Sequence, residues 1–331
     1  MFDMITARSA LTAAFAVALL ATPLLTEAQE PKAAKIGILL GGTSSSPALY
    51  IERYKETLRE QGWVEGRNVT FEYRYAEGLY ERLPALANEL VSRNLDLIVT
   101  EGTPPARAAK QATTKLPIVM ASTADPVGSG LVSSLAHPGG NLTGVSWFFA
   151  EITAKRLELL KEAAPHIKRV SVIYNPLNPI SEPAVVAIES AAKTLKIRMQ
   201  RLEVRVPADF DAAFSMMTRQ KTDAVTVLED PMTHSQSLRV VDVALKNRLP
   251  AVFGLAAVVV SGGFMSYAPS RPEMWHKAAL LTGKILRGAK PSDLPVEQPT
   301  TFELVINIKT ARALGLTIPR TLLLRADQIV E

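Results

Sequence analysis

Two patterns of hydrophobic residues, one typical of strands and one typical of helices, alternate along most of the chain. Continuous apolar runs that end at glycine or a polar residue, such as 35–40, are typical of strands buried on both faces. Between these runs, apolar residues recur at helical spacing, as in 49–61, until Gly62 interrupts the pattern. Short strands separated by helices of this kind predict right-handed βαβ units, and therefore an α/β protein with parallel sheets.

The order of elements begins again after residue 147. The run at 94–101 is echoed at 222–229, and the run at 116–119 is echoed at 249–253. The repeat predicts two similar open α/β lobes. The tail, with a strand at 262–267, a long helix at 273–287 and a strand at 302–306, is too long to extend one lobe, so we expect it to cross back and return. The expected division is 29–146 with 268–298 for lobe 1, and 147–267 with 299–331 for lobe 2.

The first 28 residues have the pattern of an export signal. Arg8 precedes an apolar run at 10–25, which is shorter than the roughly 20 residues that span a bilayer. Thr26-Glu27-Ala28 then offers small residues for a signal peptidase. We therefore predict cleavage after Ala28 and a soluble, exported protein; the alternative is an uncleaved anchor helix.

Composition and charge exclude several classes of protein. The chain has 331 residues, 47% of them hydrophobic, which is ordinary for a globular protein. Its net charge of +5 is mild, and without a Lys/Arg-dense stretch it predicts no nucleic-acid partner. The chain has no cysteine, which excludes disulfides, thiolate metal sites, a catalytic thiol and a lipidated Cys. We accordingly expect a protein that is not a lipoprotein.

No catalytic constellation emerges from the sequence. The four histidines are scattered, and none has a second His or Cys at helical ligand spacing. The glycines at 41–42 and 128–130 match neither a phosphate-binding loop nor the dinucleotide fingerprint, and a nucleophile elbow is absent. We expect no cofactor, no metal and no enzymatic activity.

The candidate chemistry lies in polar loops that follow predicted strands. In open α/β sheets ligands bind at the carboxyl ends of the strands, where helix N-termini also favour anions. The predicted solute-binding residues are Thr43, Ser44, Ser45, Ser46, Gly102, Thr103, Thr123, Asp125, Asn175, Asn178, Asp230 and Tyr267.

Several of these residues have two interpretations. Asp125 and Asp230 each precede a proline, so each is the N-cap of a helix, a ligand for a donor group of the solute, or both. We expect the two carboxylates to face the cleft from opposite lobes. Asn175 and Asn178 are either turn formers or solute contacts. Trp147 either packs in the core or stacks on the solute.

The sequence resembles the substrate-binding proteins of ABC transporters, in the group that includes the tryptophan/tyrosine-binding lipoproteins of Gram-positive bacteria. The matching stretches cover the chain from about residue 35 onwards: 62–69, 125–132, 137–144, 174–176, 262–267, 294–299 and 308–316.

The resemblance implies the type I periplasmic-binding-protein fold, in which two Rossmann-like lobes, joined by a three-crossover hinge, close on a solute. It also implies a monomer that delivers a small molecule, such as an amino acid or aromatic compound, to permease subunits of an ABC importer. Because the chain lacks the lipoprotein cysteine, we expect a free periplasmic protein. The alternative is a periplasmic sensor or enzyme of the same fold.

Overall fold

The computed structural model describes residues 33–43 and 48–331. The predicted signal segment and Ser44, Ser45 and Ser46 lie outside the described residues. Residues 34–331 form one compact unit. Its strands are β1 (Ala34–Leu40), β2 (Val69–Tyr75), β3 (Leu97–Glu101), β4 (Ile118–Ala124), β5 (Leu142–Trp147), β6 (Arg169–Tyr174), β7 (Arg198–Glu203), β8 (Ala224–Val227), β9 (Ala251–Phe253), β10 (Met265–Pro269), β11 (Phe302–Asn307) and β12 (Gln328–Val330).

The longer helices lie between these strands in the order that the hydrophobic pattern predicts. They are α1 (Ala48–Glu60), α2 (Leu83–Val91), α3 (Thr103–Ala112), α4 (Phe149–Ala163), α5 (Ser181–Thr194), α6 (Asp209–Arg219), α7 (Pro231–Ser235), α8 (Ser237–Lys246), α9 (Ala256–Val260), α10 (Arg271–Leu286), α11 (Ile308–Ala313) and α12 (Arg320–Leu323).

The first sheet contains β1 to β5 in the order β2-β1-β3-β4-β5, with all strands parallel. Every residue of β4 and β5 is buried, as expected for parallel strands covered on both faces. β2 is an edge strand with half-buried aromatic residues, as its alternating pattern indicates. This order brings the carboxyl ends of β1, β3 and β4 side by side.

The second sheet contains seven strands in the order β12-β11-β10-β9-β8-β6-β7. All its pairs are parallel except β10 with β11. The tail therefore supplies one side of this sheet. Two largely parallel sheets confirm the α/β class predicted from the sequence.

The chain passes between the sheets three times. After β5, α4 packs on β9 and β10 of the second sheet. After β10, α10 packs on α1, β4 and β5, next to the first sheet. Glu297 then pairs with Val145 before the chain enters β11. β10 continues to Pro269, two residues beyond the predicted boundary between 267 and 268.

Four short elements, α7, α9, α12 and β12, were not predicted. Each has five residues or fewer, and a run of that length carries too little periodicity to be recognised. α7 begins directly after Asp230, one of the predicted solute-binding residues. Within the described part of the chain, no helix is long and apolar enough to cross a membrane.

Candidate functional site

The carboxyl ends of both sheets enclose a central cavity of about 60 Å³. It has room for a few water molecules or a small charged group. Five of the twelve predicted residues line it: Thr43, Gly102, Thr103, Asn178 and Asp230. Its other polar walls are Glu101, Ser122, Glu229, His234 and Arg271, and these were not among the predicted site residues.

Glycines at the strand ends of the first sheet allow α7 to approach closely. A Cβ atom on Gly41 would stand 2.7 Å from Pro231 Cβ, and one on Gly78 would stand 3.3 Å from Met232 Cγ. Gly102 has a φ of +90°, and a Cβ atom added there would stand 3.6 Å from Pro231 Cγ. Side chains at these positions would hold the two sheets apart, which explains why glycine occupies them.

Asp230 joins the two halves of the site. Its buried carboxylate caps α7 by accepting hydrogen bonds from the backbone N–H groups of Met232 (2.9 Å) and Thr233 (3.4 Å). It also accepts from Asn175 Nδ2 (3.3 Å), from Asn178 Nδ2 (3.0 Å) and from the Tyr80 hydroxyl of the first half. The capping role is therefore present. Tyr80 could not be singled out from the sequence, because it lies 150 residues away from its partner.

Burial dominates the electrostatics of this contact. It raises the pKa of Asp230, while the hydrogen bonds from Tyr80, Asn178, Asn175 and the Met232 amide act in the opposite direction. Burial, together with the neighbouring Asp230 carboxylate, raises the pKa of Tyr80 well above its usual range. Tyr80 is thus a neutral donor to Asp230.

Asp125 lies in a different environment. The residue is exposed, its φ is +39°, and its Oδ1 accepts a hydrogen bond from the Gly128 amide at 2.8 Å. The carboxylate therefore stabilises the turn 125–128. Asp125 lines a second cavity rather than the central one, so the structure does not bring Asp125 and Asp230 together.

Two charged pairs define the floor of the central cavity. Arg271, at the start of α10, donates through Nη1 to Glu101 Oε1 (2.6 Å) and to Ser122 Oγ (3.0 Å). Burial raises the pKa of Glu101, and the Arg271 charge opposes that shift.

The second pair is fully enclosed. Arg156 of α4 donates through both Nη atoms to the Glu229 carboxylate, and through Nε to the Tyr267 carbonyl at 2.5 Å. The relative exposures of the two charged side chains are 0% and 5%. Tyr267 therefore contacts this charged pair through its backbone carbonyl, while its ring stacks on Phe302.

The remaining predicted residues are buried around the cavity. Asn175 bonds to Asp230, and the Thr103 hydroxyl donates to the Ala124 carbonyl at 3.2 Å. The Thr123 hydroxyl is buried and has no hydrogen-bond partner among the described residues. Trp147 packs edge-on against Phe149 at 5.1 Å and also lines the central cavity, so both of its predicted roles are compatible with its position.

Two larger cavities flank the central one. The first, of about 430 Å³, is called the side cavity here; Asp125, Val127, Trp147, Phe148 and Ile180 are among its walls. The second, of about 340 Å³, is called the α9 cavity and lies between Tyr50, α9 and the end of β10. Arg271 lines both the α9 cavity and the central one.

His234 gives the site a testable pH signature. Burial, with Arg271 and Arg156 nearby, lowers its pKa to about 3. An unfolded chain binds that proton near pH 6.5. As the pH falls from about 6.5 towards 3, the unfolded state takes up a proton that the folded state refuses, so the free energy of unfolding falls by up to about 1.4 kcal/mol per pH unit.

We expect His234→Gln to flatten this pH dependence in urea denaturation between about pH 4.5 and about pH 7.5. His166→Gln, at an exposed position, is the control and should keep the wild-type slope. An unchanged slope in His234→Gln would contradict the assignment.

Among the described residues, no cluster of His, Asp and Glu could hold a metal ion.

Two open α/β halves, joined by three passages and enclosing a polar cavity at their strand ends, define a solute-binding protein of the periplasmic type. The chain belongs to the family described as ABC transporter substrate binding protein, whose model matches residues 44–330. This confirms the family indicated by the resemblance, and with it the type I fold and the capture of a small solute for an ABC transporter.

Known relatives agree with that assignment. A tyrosine-binding protein of Clostridioides difficile (strain R20291) is 30% identical over 261 residues, which are 79% of this chain and 75% of the relative. A crystal structure of an ABC domain from Streptococcus pneumoniae in complex with L-Trp matches with a TM-score of 0.84 and 30% identity, covering 90% of this chain and all of that one. A conserved domain protein from Vibrio cholerae matches with a TM-score of 0.84 and 28% identity, with the same coverage.

Proposed function

We propose that this protein captures an amino acid or a closely related zwitterion between its two halves. The observation that carries the proposal is the Arg271–Glu101 pair in the central cavity. Among the described residues, Arg271 makes its hydrogen bonds through Nη1 alone, which leaves Nη2 and Nε for a carboxylate. Glu101 Oε1 receives Arg271, which leaves Oε2 for an ammonium group.

The small volume supports a compact head group at this point. A cavity of about 60 Å³ accommodates an α-ammonium and carboxylate but little more. The relatives that bind L-Trp and tyrosine make these two amino acids the first solutes to test.

Capture would proceed by closure of two lobes about the three passages, without covalent chemistry. We propose the lobes predicted from the sequence, 29–146 with 268–298 and 147–267 with 299–331. Contacts of Pro231 and Met232 with the glycines of the first sheet, and of Asp230 with Tyr80, would then form on closure. The protein would act as a monomer, with neither a nucleic-acid partner nor enzymatic activity.

We further propose that the protein acts in the periplasm after cleavage at Ala28. The charged n-region, the apolar run and the small residues before position 29 support export, and a chain without cysteine cannot carry a lipid thioether. The mass of the protein purified from a periplasmic fraction tests this: it should correspond to a chain beginning at Gln29, whereas retention of Met1 would contradict it.

The solute is tested by a thermal-shift screen of amino acids, aromatic acids and sugars, followed by calorimetric titration of each solute that raises Tm. We expect amino acids to raise Tm. Arg271→Met should weaken their binding about tenfold, because it removes a charge-assisted hydrogen bond. Arg239→Met, which removes an exposed arginine of α8, is the matched control and should bind as wild type. Stabilisation by sugars alone would overturn the proposal.

A further inference from the structure

The α9 cavity is a space of its own beside the site described above. Its volume of about 340 Å³ lies in the range of pockets that hold whole organic ligands. Among the described residues, Arg271 alone lines both this cavity and the central one. Val260 and Gln328, on its walls, are exposed, so a ligand reaches the α9 cavity from solvent without passing through the central cavity.

Glu303 gives the α9 cavity a carboxylate without a partner. It is half-buried on β11, and among the described residues its carboxylate makes neither an ion pair nor a hydrogen bond. Arg271 is the one cation among the described walls, and it is held by Glu101 at 2.6 Å. The charge of Arg271 is thereby offset whereas that of Glu303 is not, so the cavity favours a positively charged ligand.

Two hydroxyl groups of the cavity also lack partners. Ser266 Oγ is buried without a hydrogen bond, and the Tyr50 hydroxyl makes none with the described residues. Burial raises the pKa of Tyr50, so this hydroxyl is uncharged near neutral pH. A buried hydroxyl without a partner is costly, and each of these oxygens can accept a hydrogen bond from a ligand.

The pairing of β10 with β11 brings Glu303 and Ser266 to one face of the sheet. Glu303 lies opposite Ala268, and Ser266 is two positions from Ala268 on the same strand. Both Ser266 and Ala268 line the cavity, as alternation along a strand requires of residues that share a face. Glu303 and Ser266 are therefore diagonal neighbours, close enough for one ligand to contact both.

The rest of the wall is mostly apolar. It includes Leu255, Ala256, Ala257, Val260, Pro269 and Pro272. A ligand with a non-polar body gains free energy by burying that body against these side chains. The cavity thus combines one unneutralised carboxylate and two free hydroxyl oxygens with an apolar surface.

An anionic ligand is the alternative, because Arg271 lines the cavity. Such a ligand would bring its charge next to Glu303 and near Glu101, and like charges in a partly buried site repel each other. It would also leave the Glu303 carboxylate without a donor. The contacts of the cavity therefore favour the cation.

We propose that the α9 cavity is a second binding site, separate from the central cavity, for a primary ammonium ion with a small non-polar body. The ammonium group would donate to Glu303 and to the hydroxyl oxygens of Ser266 and Tyr50, and the body would lie against α9. The ligand carries no carboxylate, which distinguishes its class from the amino acids proposed for the central cavity. The proposal does not depend on the identity of that solute.

Three probes that share one ring and differ in charge test the ligand class. Benzylamine, benzyl alcohol and benzoate are titrated calorimetrically into the wild-type protein near neutral pH. We expect benzylamine to bind at least tenfold more tightly than benzyl alcohol, because a charged group strengthens the hydrogen bonds to Glu303, and benzoate to bind more weakly than either. No binding of benzylamine, equal affinity for benzylamine and benzyl alcohol, or tighter binding of benzoate would overturn the proposal.

Variants of the polar wall test the contacts. Glu303→Gln should weaken benzylamine binding at least tenfold. Glu72→Gln, which changes a half-buried carboxylate of β2 outside the cavity, is the matched control and should bind as wild type. Ser266→Ala should weaken binding about threefold and leave Tm unchanged, since its hydroxyl has no partner in the free protein. Equal losses in Glu303→Gln and Glu72→Gln would contradict a specific contact.

Two tryptophan substitutions test the location, and they keep the test open should Glu303→Gln fail to fold. Val260→Trp, on an exposed wall, should fill the α9 cavity and abolish benzylamine binding. Val127→Trp, on an exposed wall of the side cavity, should bind benzylamine as wild type. Unchanged affinity in Val260→Trp together with a loss in Glu101→Gln would place the amine in the central cavity and overturn the proposal.

Discussion

Arg156→Met is expected to lower the free energy of unfolding by about 3–5 kcal/mol, because it leaves the Glu229 carboxylate buried without its partner. The guanidinium and the carboxylate are enclosed almost completely. Glu229 has no room to turn away, since even a Cβ atom added at Gly254 would stand 1.7 Å from its Oε1. Urea denaturation monitored by circular dichroism measures the change.

Two control variants distinguish the buried charge from the loss of a long side chain. Arg239→Met removes the exposed partner of Asp211 and should cost less than about 1 kcal/mol. In the double variant Arg156→Met/Glu229→Leu both charges are gone, so much of the lost stability should return. A double variant as unstable as Arg156→Met would show that packing, rather than the unpaired carboxylate, causes the loss.

The order of strands and helices could be predicted from the sequence because strands buried on both faces and amphipathic helices space their apolar residues differently. β1 and β11 lie within one residue of the predicted strands at 35–40 and 302–306, and β2 is the half-buried edge that its alternating aromatics indicate. The antiparallel pairing of β10 with β11 and the short strand β12 could not be predicted in this way, because they depend on where the tail returns and not on a local pattern.

Only part of the candidate site could be predicted from the sequence, for a physical reason. Polar residues at strand ends can be found locally, and Thr43, Gly102, Thr103, Asn178 and Asp230 do line one cavity. The charged pairs in and beneath its floor join residues 73 and 170 positions apart. No spacing rule connects such residues, so Arg156 and Arg271 emerged only from the fold.

Asp125 and Asp230 show how similar local sequences diverge in three dimensions. Each aspartate follows a strand and precedes a proline, and each accepts a backbone hydrogen bond in the next turn. Asp125 stays exposed on its turn, whereas Asp230 is buried against the opposite half. The difference comes from α7 packing on the strand-end glycines of the first sheet.

Asp230→Asn is expected to weaken solute binding roughly 30-fold or more, equivalent to about 2 kcal/mol or above. Asparagine caps a helix about as well as aspartate, so α7 should persist. Its side chain has one acceptor oxygen, however, where Asp230 uses two to receive Tyr80, Asn178, Asn175 and two amides. The amide nitrogen of the substituted side chain would face a donor, and the contact between the halves would be weakened.

Tyr80→Phe separates the two ways in which Asp230 could act. If Asp230 acts by holding the halves together, Tyr80→Phe should lower affinity by a similar factor, and the double variant should lose little more than either single one. If Asp230 instead binds the solute directly, Tyr80→Phe should leave affinity near wild type while Asp230→Asn abolishes it. Calorimetric titration of the three variants, with circular dichroism as the check on folding, distinguishes these outcomes. Wild-type affinity in all three would refute both roles and leave Asp230 only as the N-cap of α7.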